Sequence, residues 1–231
     1  MKRARARTVG EETDNPQCIL CYGDSNTFGQ SDCGADRLAY ADRWTTALQK
    51  ILGQTFVVVP EGLNGRTTVL DDPWESSEFC GHGGEGMNGR RYLLPCLYSH
   101  RPLAVVVLAL GCNDLKHRHN LEPTDIVSGV QNLVADIRTS TAGTNGQAPK
   151  IVLCSPPACK ETATALGWGF RGCAAKSRAT IKALKEAAEG ERLPYIDLSE
   201  VAEVGADGIH FAASAAQPIA TAVATAVRGV I

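Results

Sequence analysis

Five short apolar runs, rich in β-branched residues, constrain this chain more than anything else in it. They are residues 18–22, Phe56-Val57-Val58-Val59, Ala104 to Leu110, Lys150-Ile151-Val152-Leu153-Cys154 and Tyr195-Ile196-Asp197-Leu198. They are nearly continuous in hydrophobicity and do not alternate polar with apolar. A strand that is apolar on both sides has to be covered on both sides, as in a parallel sheet held between helices. Segments with helical spacing separate the runs, at about 40–52, 89–99, 123–140, 171–189 and 213–229. Strand and helix alternating over 231 residues predict an α/β fold, a three-layer, doubly wound, five-stranded parallel sheet. Residues 18–231 read as a single domain, without internal repeat or linker. Residues 1–17 read as a disordered tail, basic and then acidic, with a targeting presequence as the lesser alternative.

Composition removes several classes of function. Hydrophobic residues make up 44% and charged residues 21%, as in an ordinary globular protein. A formal net charge of −2 supplies no attraction for nucleic acid or for an anionic membrane. No apolar run approaches the ~20 residues that span a bilayer. There are nine cysteines, most of them inside apolar segments (Cys18, Cys21, Cys96, Cys112, Cys154), where a reduced thiol packs as a small hydrophobe. Cys18-x-x-Cys21 resembles a redox pair, but on a strand its two side chains point to opposite faces. No spacing suits zinc. The expectation is a cytoplasmic, reducing setting with no metal, no nucleic-acid partner and no membrane.

The chemistry gathers where the strands end. The connections leaving their carboxyl ends are long (60–88, 111–122, 155–170) and the returns are mostly short, so the loops of one edge are the place for a site. Gly23-Asp24-Ser25-Asn26 follows the first strand. It lacks the second glycine of a Gly-x-Ser-x-Gly elbow, since position 27 is Thr. Glu61-Gly62-Leu63-Asn64-Gly65-Arg66-Thr67-Thr68 follows the second strand and Gly111-Cys112-Asn113-Asp114 the third, while Asp207-Gly208-Ile209-His210 precedes the last helix. Acyl transfer from an ester needs a nucleophile, a base, a group that orients the base, and donors for the tetrahedral oxyanion. Ser25, His210 and Asp207 suit the first three roles, one helical turn bringing Asp207 beside His210. The N–H groups of Ser25 and Gly65 and the amide of Asn113 suit the fourth. Asp24, Asn26 and Asn64, beside the nucleophile and Gly65, are the expected substrate contacts. His117 and His119 could compete for the base role but read as surface residues. Each segment alone has an ordinary explanation as a cap or turn; their shared sheet edge is what joins them. Trp168 and Phe170 either line the pocket or anchor the next helix, and glycine-rich 71–88 is a surface excursion, a pocket wall or a subunit contact.

These four blocks resemble those of the SGNH hydrolases, the GDSL esterase and lipase superfamily, from about Cys18 to Arg228. The wider wording (Asp42-Arg43-Trp44, Glu61-Gly62-Leu63, Arg66-Thr67-Thr68, Asp72-Pro73, Tyr92-Leu93-x-Pro95-Cys96-Leu97, Ser155-Pro156-Pro157) is similar to the bacterial arylesterase and acyltransferase branch. The resemblance implies sheet order 2-1-3-4-5, no cofactor, Ser25 as nucleophile, His210 as base, Asp207 as its orienter, and Ser25, Gly65 and Asn113 as the oxyanion hole. It also implies a homo-oligomer, here through residues 71–95. The chain departs from acyl-transferring members at Asn26 and Gln30, where they carry bulky apolar residues. A polar mouth favours water over an alcohol, so hydrolysis of small esters is expected first, with acyl transfer or perhydrolysis second. A flavodoxin-like module binding phosphate or nucleotide through the Ser25 turn is the non-enzymatic rival, and a pseudoenzyme with a blocked pocket is a third reading.

Overall fold

A computed structural model of the protein describes residues 16–34, 36–75 and 84–231. Five parallel strands, β1 (Gln17–Gly23), β2 (Phe56–Gly62), β3 (Leu103–Ala109), β4 (Lys150–Cys154) and β5 (Tyr195–Ile196), form one sheet in the order β2-β1-β3-β4-β5. The helices among the described residues are α1 (Ser25–Phe28), α2 (Trp44–Leu52), α3 (Gly89–Ser99), α4 (Pro123–Thr139), α5 (Ala163–Gly167), α6 (Cys173–Gly190), α7 (Leu198–Val201) and α8 (Ala216–Val230). None is long and apolar enough to cross a membrane.

The pleat sends alternate residues to opposite sides. Ile19, Cys21, Val105, Val107, Val152 and Cys154 pack with Leu48 of α2 and with Ile219, Val223 and Val227 of α8. Leu20, Tyr22, Val106, Leu108, Ile151 and Leu153 pack with Leu93 and Leu97 of α3, Leu133 and Ile137 of α4, and Leu184 of α6. Both layers are dry, so truncating a side chain such as Leu20 or Leu133 to Ala costs ~2–5 kcal/mol. Cys21 joins the first layer and Cys18 packs against the second. The pleat separates that pair, and both thiols are free.

Several boundaries differ from the sequence reading, each for a local reason. β1 begins at Gln17, whose N–H donates to Thr55 O at 2.9 Å, so the predicted tail loses its last residue to the sheet. The tail expectation for residues 1–15 lies outside the described residues, as do positions 76–83 of the glycine-rich stretch. β2 continues through Pro60 to Gly62, which an edge strand tolerates because the missing N–H is not owed to a second neighbour. The run at 195–198 is cut short at Ile196, where Asp197 turns to accept from the Ser199 N–H and caps α7. α2 starts at Trp44 rather than near 40, after a 3-10 turn at Tyr40–Asp42 and an extended Arg43.

This topology decides where a ligand can sit. β1 and β3 are neighbours, yet the chain leaves β1 toward α2 on one face and β3 toward α4 on the other. Such a divergence opens a crevice at the carboxyl ends of the strands. A third apolar cluster lies beyond those ends, built from Cys112, Leu115, Ile126, Cys159, Ala165, Phe170, Cys173 and Ile209.

Candidate active site

Ser25 is the first residue of α1, one residue beyond β1. Gly23 is required before it, since a Cβ there would overlap the Thr27 hydroxyl and crowd Ala109 O. Asp24 caps the helix, its carboxylate accepting the Asn26 N–H at 2.9 Å. Burial pushes the Asp24 carboxyl up to about 6, against the pull of the Asn26 N–H and of His210.

His210 Nε2 lies 2.8 Å from Ser25 Oγ, and His210 Nδ1 lies 2.7 Å from Asp207 Oδ2. The three residues are 5–6% exposed. Burial pushes the Asp207 carboxyl up, but hydrogen bonds from the His210 ring and from the N–H groups of His210 and Ile209 outweigh it and hold it below the usual carboxylate range. An ionised carboxylate only accepts, so Nδ1 carries the ring proton and Nε2 is left to accept from the serine hydroxyl. The expected helical turn between Asp207 and His210 is absent. Asp207 Oδ1 accepts the N–H groups of Ile209 (2.7 Å) and His210 (2.8 Å), and Gly208 stands at φ +84. A side-chain-closed turn does the work assigned to a helix, because Gly208 supplies a left-handed conformation that helical residues do not adopt.

The three expected oxyanion donors come from three different strand ends. Gly65, at φ +81, turns its loop after β2. Among the described residues, the N–H groups of Ser25 and Gly65 have no protein acceptor. Asn113 Nδ2 donates one proton to Arg66 O at 3.1 Å, leaving the other amide hydrogen unassigned. Asp114, fully buried beside it, accepts from Thr68 N and Oγ1 and locks the β2 and β3 loops together.

Each expected substrate contact also bonds within the protein. Asp24 is buried and committed to its cap. Asn26 Nδ2 donates to Ile209 O at 3.4 Å and Asn26 Oδ1 accepts from Phe211 N at 3.0 Å, so the side chain straps the nucleophile turn to both neighbours of His210. Asn64 Nδ2 donates to Gln30 Oε1 at 2.8 Å, while Asn64 Oδ1 is buried without a partner among the described residues. Gln30 Nε2 is held by Gly34 O and Asp36 O. The amides of Asn26 and Gln30 are therefore spent on the protein and do not wet the mouth of the site. His117 is exposed as expected, but His119 is not a surface residue: its buried ring faces Asp72 at 3.5 Å. Phe170 is buried in the third cluster, whereas Trp168, 43% exposed, sets its ring edge-on to His210 with centroids 5.7 Å apart.

Some supports were missed from sequence. Thr162 Oγ1 donates to Asp207 O at 2.5 Å, from a segment 45 residues away. Buried Arg66 donates through Nη1 to Gly23 O (2.9 Å) and Glu61 O (2.5 Å), with its guanidinium 4.4 Å above the Tyr22 ring. It clamps the ends of β1 and β2 directly before Ser25. Fully buried Asp72 collects Arg118, Lys116 and His119, and Glu75 pairs with the first two. Nothing in the local spacing announces these contacts. Glu61, Cys96 and His100 bring a carboxylate, a thiol and an imidazole within 4.8 Å. His100 Nε2 is already 2.8 Å from Glu61 Oε1, and burial, reinforced by Glu61, pushes the Cys96 thiol up to about 12. That group belongs to β2 and α3, not to the segments that carry Ser25, Asp207 and His210.

Compared with known proteins, the chain matches the GDSL-like lipase/acylhydrolase family over residues 21–217. It is 34% identical to the solved structure of a carbohydrate acetylesterase family member from Sinorhizobium meliloti, covering 93% of this chain and 98% of that one, with a TM-score of 0.83. It is likewise 34% identical to the native aryl esterase of M. smegmatis, covering 93% of this chain and 100% of that one, with a TM-score of 0.82. No curated protein sequence matches it.

Proposed function

This chain belongs to the GDSL-like lipase/acylhydrolase family and is a carboxylic ester hydrolase, and from that premise we propose that it cleaves small esters through an acyl-enzyme on Ser25. The observation that carries the reading is the continuous hydrogen-bonded chain from Ser25 through His210 to Asp207. Ser25 Oγ attacks the ester carbonyl while His210 Nε2 takes its proton. Asp207 keeps the ring oriented and offsets the charge it acquires. The oxyanion receives the N–H groups of Ser25 and Gly65 and the free amide hydrogen of Asn113. His210 returns the proton to the departing alcohol, and water repeats the sequence on the acyl-enzyme.

Short-chain acyl, aryl and acetylated-sugar esters are the proposed substrates. The names carried by the 34%-identical neighbours support this range, as does the exposed Trp168 beside the imidazole, a flat apolar surface for an aryl or sugar leaving group. Passing the acyl group to an alcohol is a second outlet, because Asn26 and Gln30 no longer argue for a wet mouth. Ser25→Ala should abolish hydrolysis of a chromogenic acetate ester, and a fluorophosphonate should label Ser25 in the unaltered protein. Turnover retained by that variant would end the proposal. A panel of acetate to octanoate esters, with and without added alcohol, sets the acyl length and the partition between water and alcohol.

Self-association through residues 71–95 is part of the same proposal. Trp74, Tyr92 and Leu94 are exposed in the described part of that segment. Sedimentation at assay concentration should give more than the mass of one chain, and a single-chain mass would dismiss it.

A further inference from the structure

No step of the proposed hydrolysis touches the ion pair that bridges the loops after β2 and β3, the two strands flanking β1. Lys116 Nζ donates to Glu75 Oε2 at 2.5 Å, and Arg118 Nη2 donates to the same oxygen at 2.7 Å. Glu75 lies between β2 and α3, Lys116 between β3 and α4. We propose, on the esterase reading, that Glu75 and Lys116 are positioning residues of the oxyanion hole. Together they hold the Gly65 N–H and the Asn113 amide at one fixed separation.

Each end of the pair leans on one donor. At the Gly65 end a side chain presses on backbone: a Cβ built on Gly65 would stand 3.0 Å from Glu75 Cγ and 3.0 Å from the sulfur of buried Met87. Gly65 has φ +81, and the turn around it is closed by the Arg66 N–H, which donates to Leu63 O at 3.2 Å. At the other end the link runs through the chain. Lys116 N donates to Asn113 O at 3.2 Å and closes the 3-10 turn Asn113–Leu115. Asn113 Nδ2 already donates to the carbonyl of Arg66, the residue after Gly65. The two donors are therefore joined twice, once through Arg66 and once through Lys116 and Glu75. A single hydrogen bond fixes one distance and leaves a hinge; the second path closes a ring and removes it.

Burial makes the second path firm. Lys116 is 4% exposed, and its Nζ lies 5.6 Å from the centroid of the Phe170 ring. A buried ammonium has to keep its carboxylates, and Glu75 is nearer to it than Asp72, at 3.9 Å. The Glu75 carboxylate is not free to swing as in an exposed pair, since Arg118 grips the same oxygen and is itself tied to Asp72. Donors aimed in advance at the developing charge are what an oxyanion hole needs, and small misplacements of such groups are costly.

The test uses the full chain with Glu75→Gln and Lys116→Met. Glu75→Gln keeps the shape and leaves Lys116 with Asp72, while Lys116→Met sets an apolar chain against Phe170. Amide NMR without substrate reads the coupling across the pair: Lys116→Met should shift the Gly65 N–H signal, and Glu75→Gln should shift the Asn113 side-chain amide. With a chromogenic acetate, each variant should lower kcat roughly 10- to 100-fold and keep KM within about twofold. Leu133→Ala, which weakens the core layer of α3, α4 and α6, should leave both constants unchanged where it stays folded. In an Asn113→Ala background Glu75→Gln should cost less than about threefold, because the separation it maintains no longer matters. No turnover by the unaltered protein would end the esterase reading and the oxyanion role with it, while the crossed NMR shifts would still report the coupling. With an active protein, unmoved crossed signals, kcat retained in both variants, or losses that simply add to that of Asn113→Ala would overturn the proposal.

Discussion

The amide of Asn26 reaches to either side of His210, toward Ile209 O and from Phe211 N, so the residue after the nucleophile sets where the imidazole sits. In the proposed reaction Asn113 lies on the other side of the reacting carbon. One of its amide hydrogens is tied to Arg66 O and the other is free for an oxyanion. Asn113→Ala should therefore lower kcat about 10²–10³-fold with little change in KM, a loss of ~3–4 kcal/mol confined to the transition state. An unchanged kcat for a chromogenic acetate would remove Asn113 from that role. Asp24 makes a prediction about stability. Its folded-state pKa, about 6, lies above the ordinary aspartate value of about 3.9, so its favourable contribution is complete below the unfolded value and is lost as pH rises through about 6. Asp24→Asn keeps a capping oxygen without the charge. At pH 8 it should be more stable than the unaltered protein by up to ~3 kcal/mol in urea unfolding, with the gap closing near pH 4. A gap independent of pH would refute the burial argument. That Ser25, Asp207, His210, Gly65 and Asn113 would gather at one sheet edge was legible in sequence, because the proposed chemistry demands particular side chains at strand ends. Whether Asn26 and Gln30 face a substrate or the protein was not, since an amide satisfies either partner equally well.

Segments show where local pattern and tertiary demand part company. The loop after β2 and the turn that follows Asn113 are joined at buried Asp72, which faces Arg118 at 2.5 Å, the His119 ring at 3.5 Å and Lys116 at 3.9 Å. Burial pushes the Asp72 carboxyl up, but the nearby His119 ring, the hydrogen bond from Arg118 and the charges of Lys116 and Arg118 outweigh it and hold it below the usual carboxylate range. With the folded value depressed, this stability is present at neutral pH and is lost as pH falls through the acid range. Asp72→Asn leaves buried Lys116 without its second carboxylate and should cost ~3–5 kcal/mol at pH 7. That cost should shrink toward acid pH in urea melts. A cost under ~1 kcal/mol would mean that the cluster is solvated. Sequence showed the charges at 72, 75, 116, 118 and 119 but not their meeting, because 41 to 47 residues separate the partners. The Asp207–His210 segment shows the opposite case: its spacing marked the pair correctly, while a turn closed by the Asp207 side chain replaced the expected helix. At β5, the apolar run outlasts the strand because Asp197 finds a capping partner before the ladder can continue.

At the scale of the molecule, one alternation of strand and helix carries most of the outcome. The doubly wound sheet, its two dry layers and the assignment of chemistry to the carboxyl edge follow from which residues must leave water, a property that each segment of the amino-acid sequence holds by itself. The order β2-β1-β3-β4-β5 places Ser25 beside the loops of its two neighbours, and Asn113 and Gly65 arrive there from opposite sides. Sequence by itself thus determined the fold class and the strand-end positions of the candidate site residues, because hydrophobic burial and side-chain chemistry are stated residue by residue. Only the tertiary structure decided which amides are spent on the protein and how Thr162 and Arg66 brace the site. The contacts of Arg66 with Gly23, of Thr162 with Asp207 and of His210 with Ser25 join segments 43 to 185 residues apart, and their distances are set by packing that no single segment specifies.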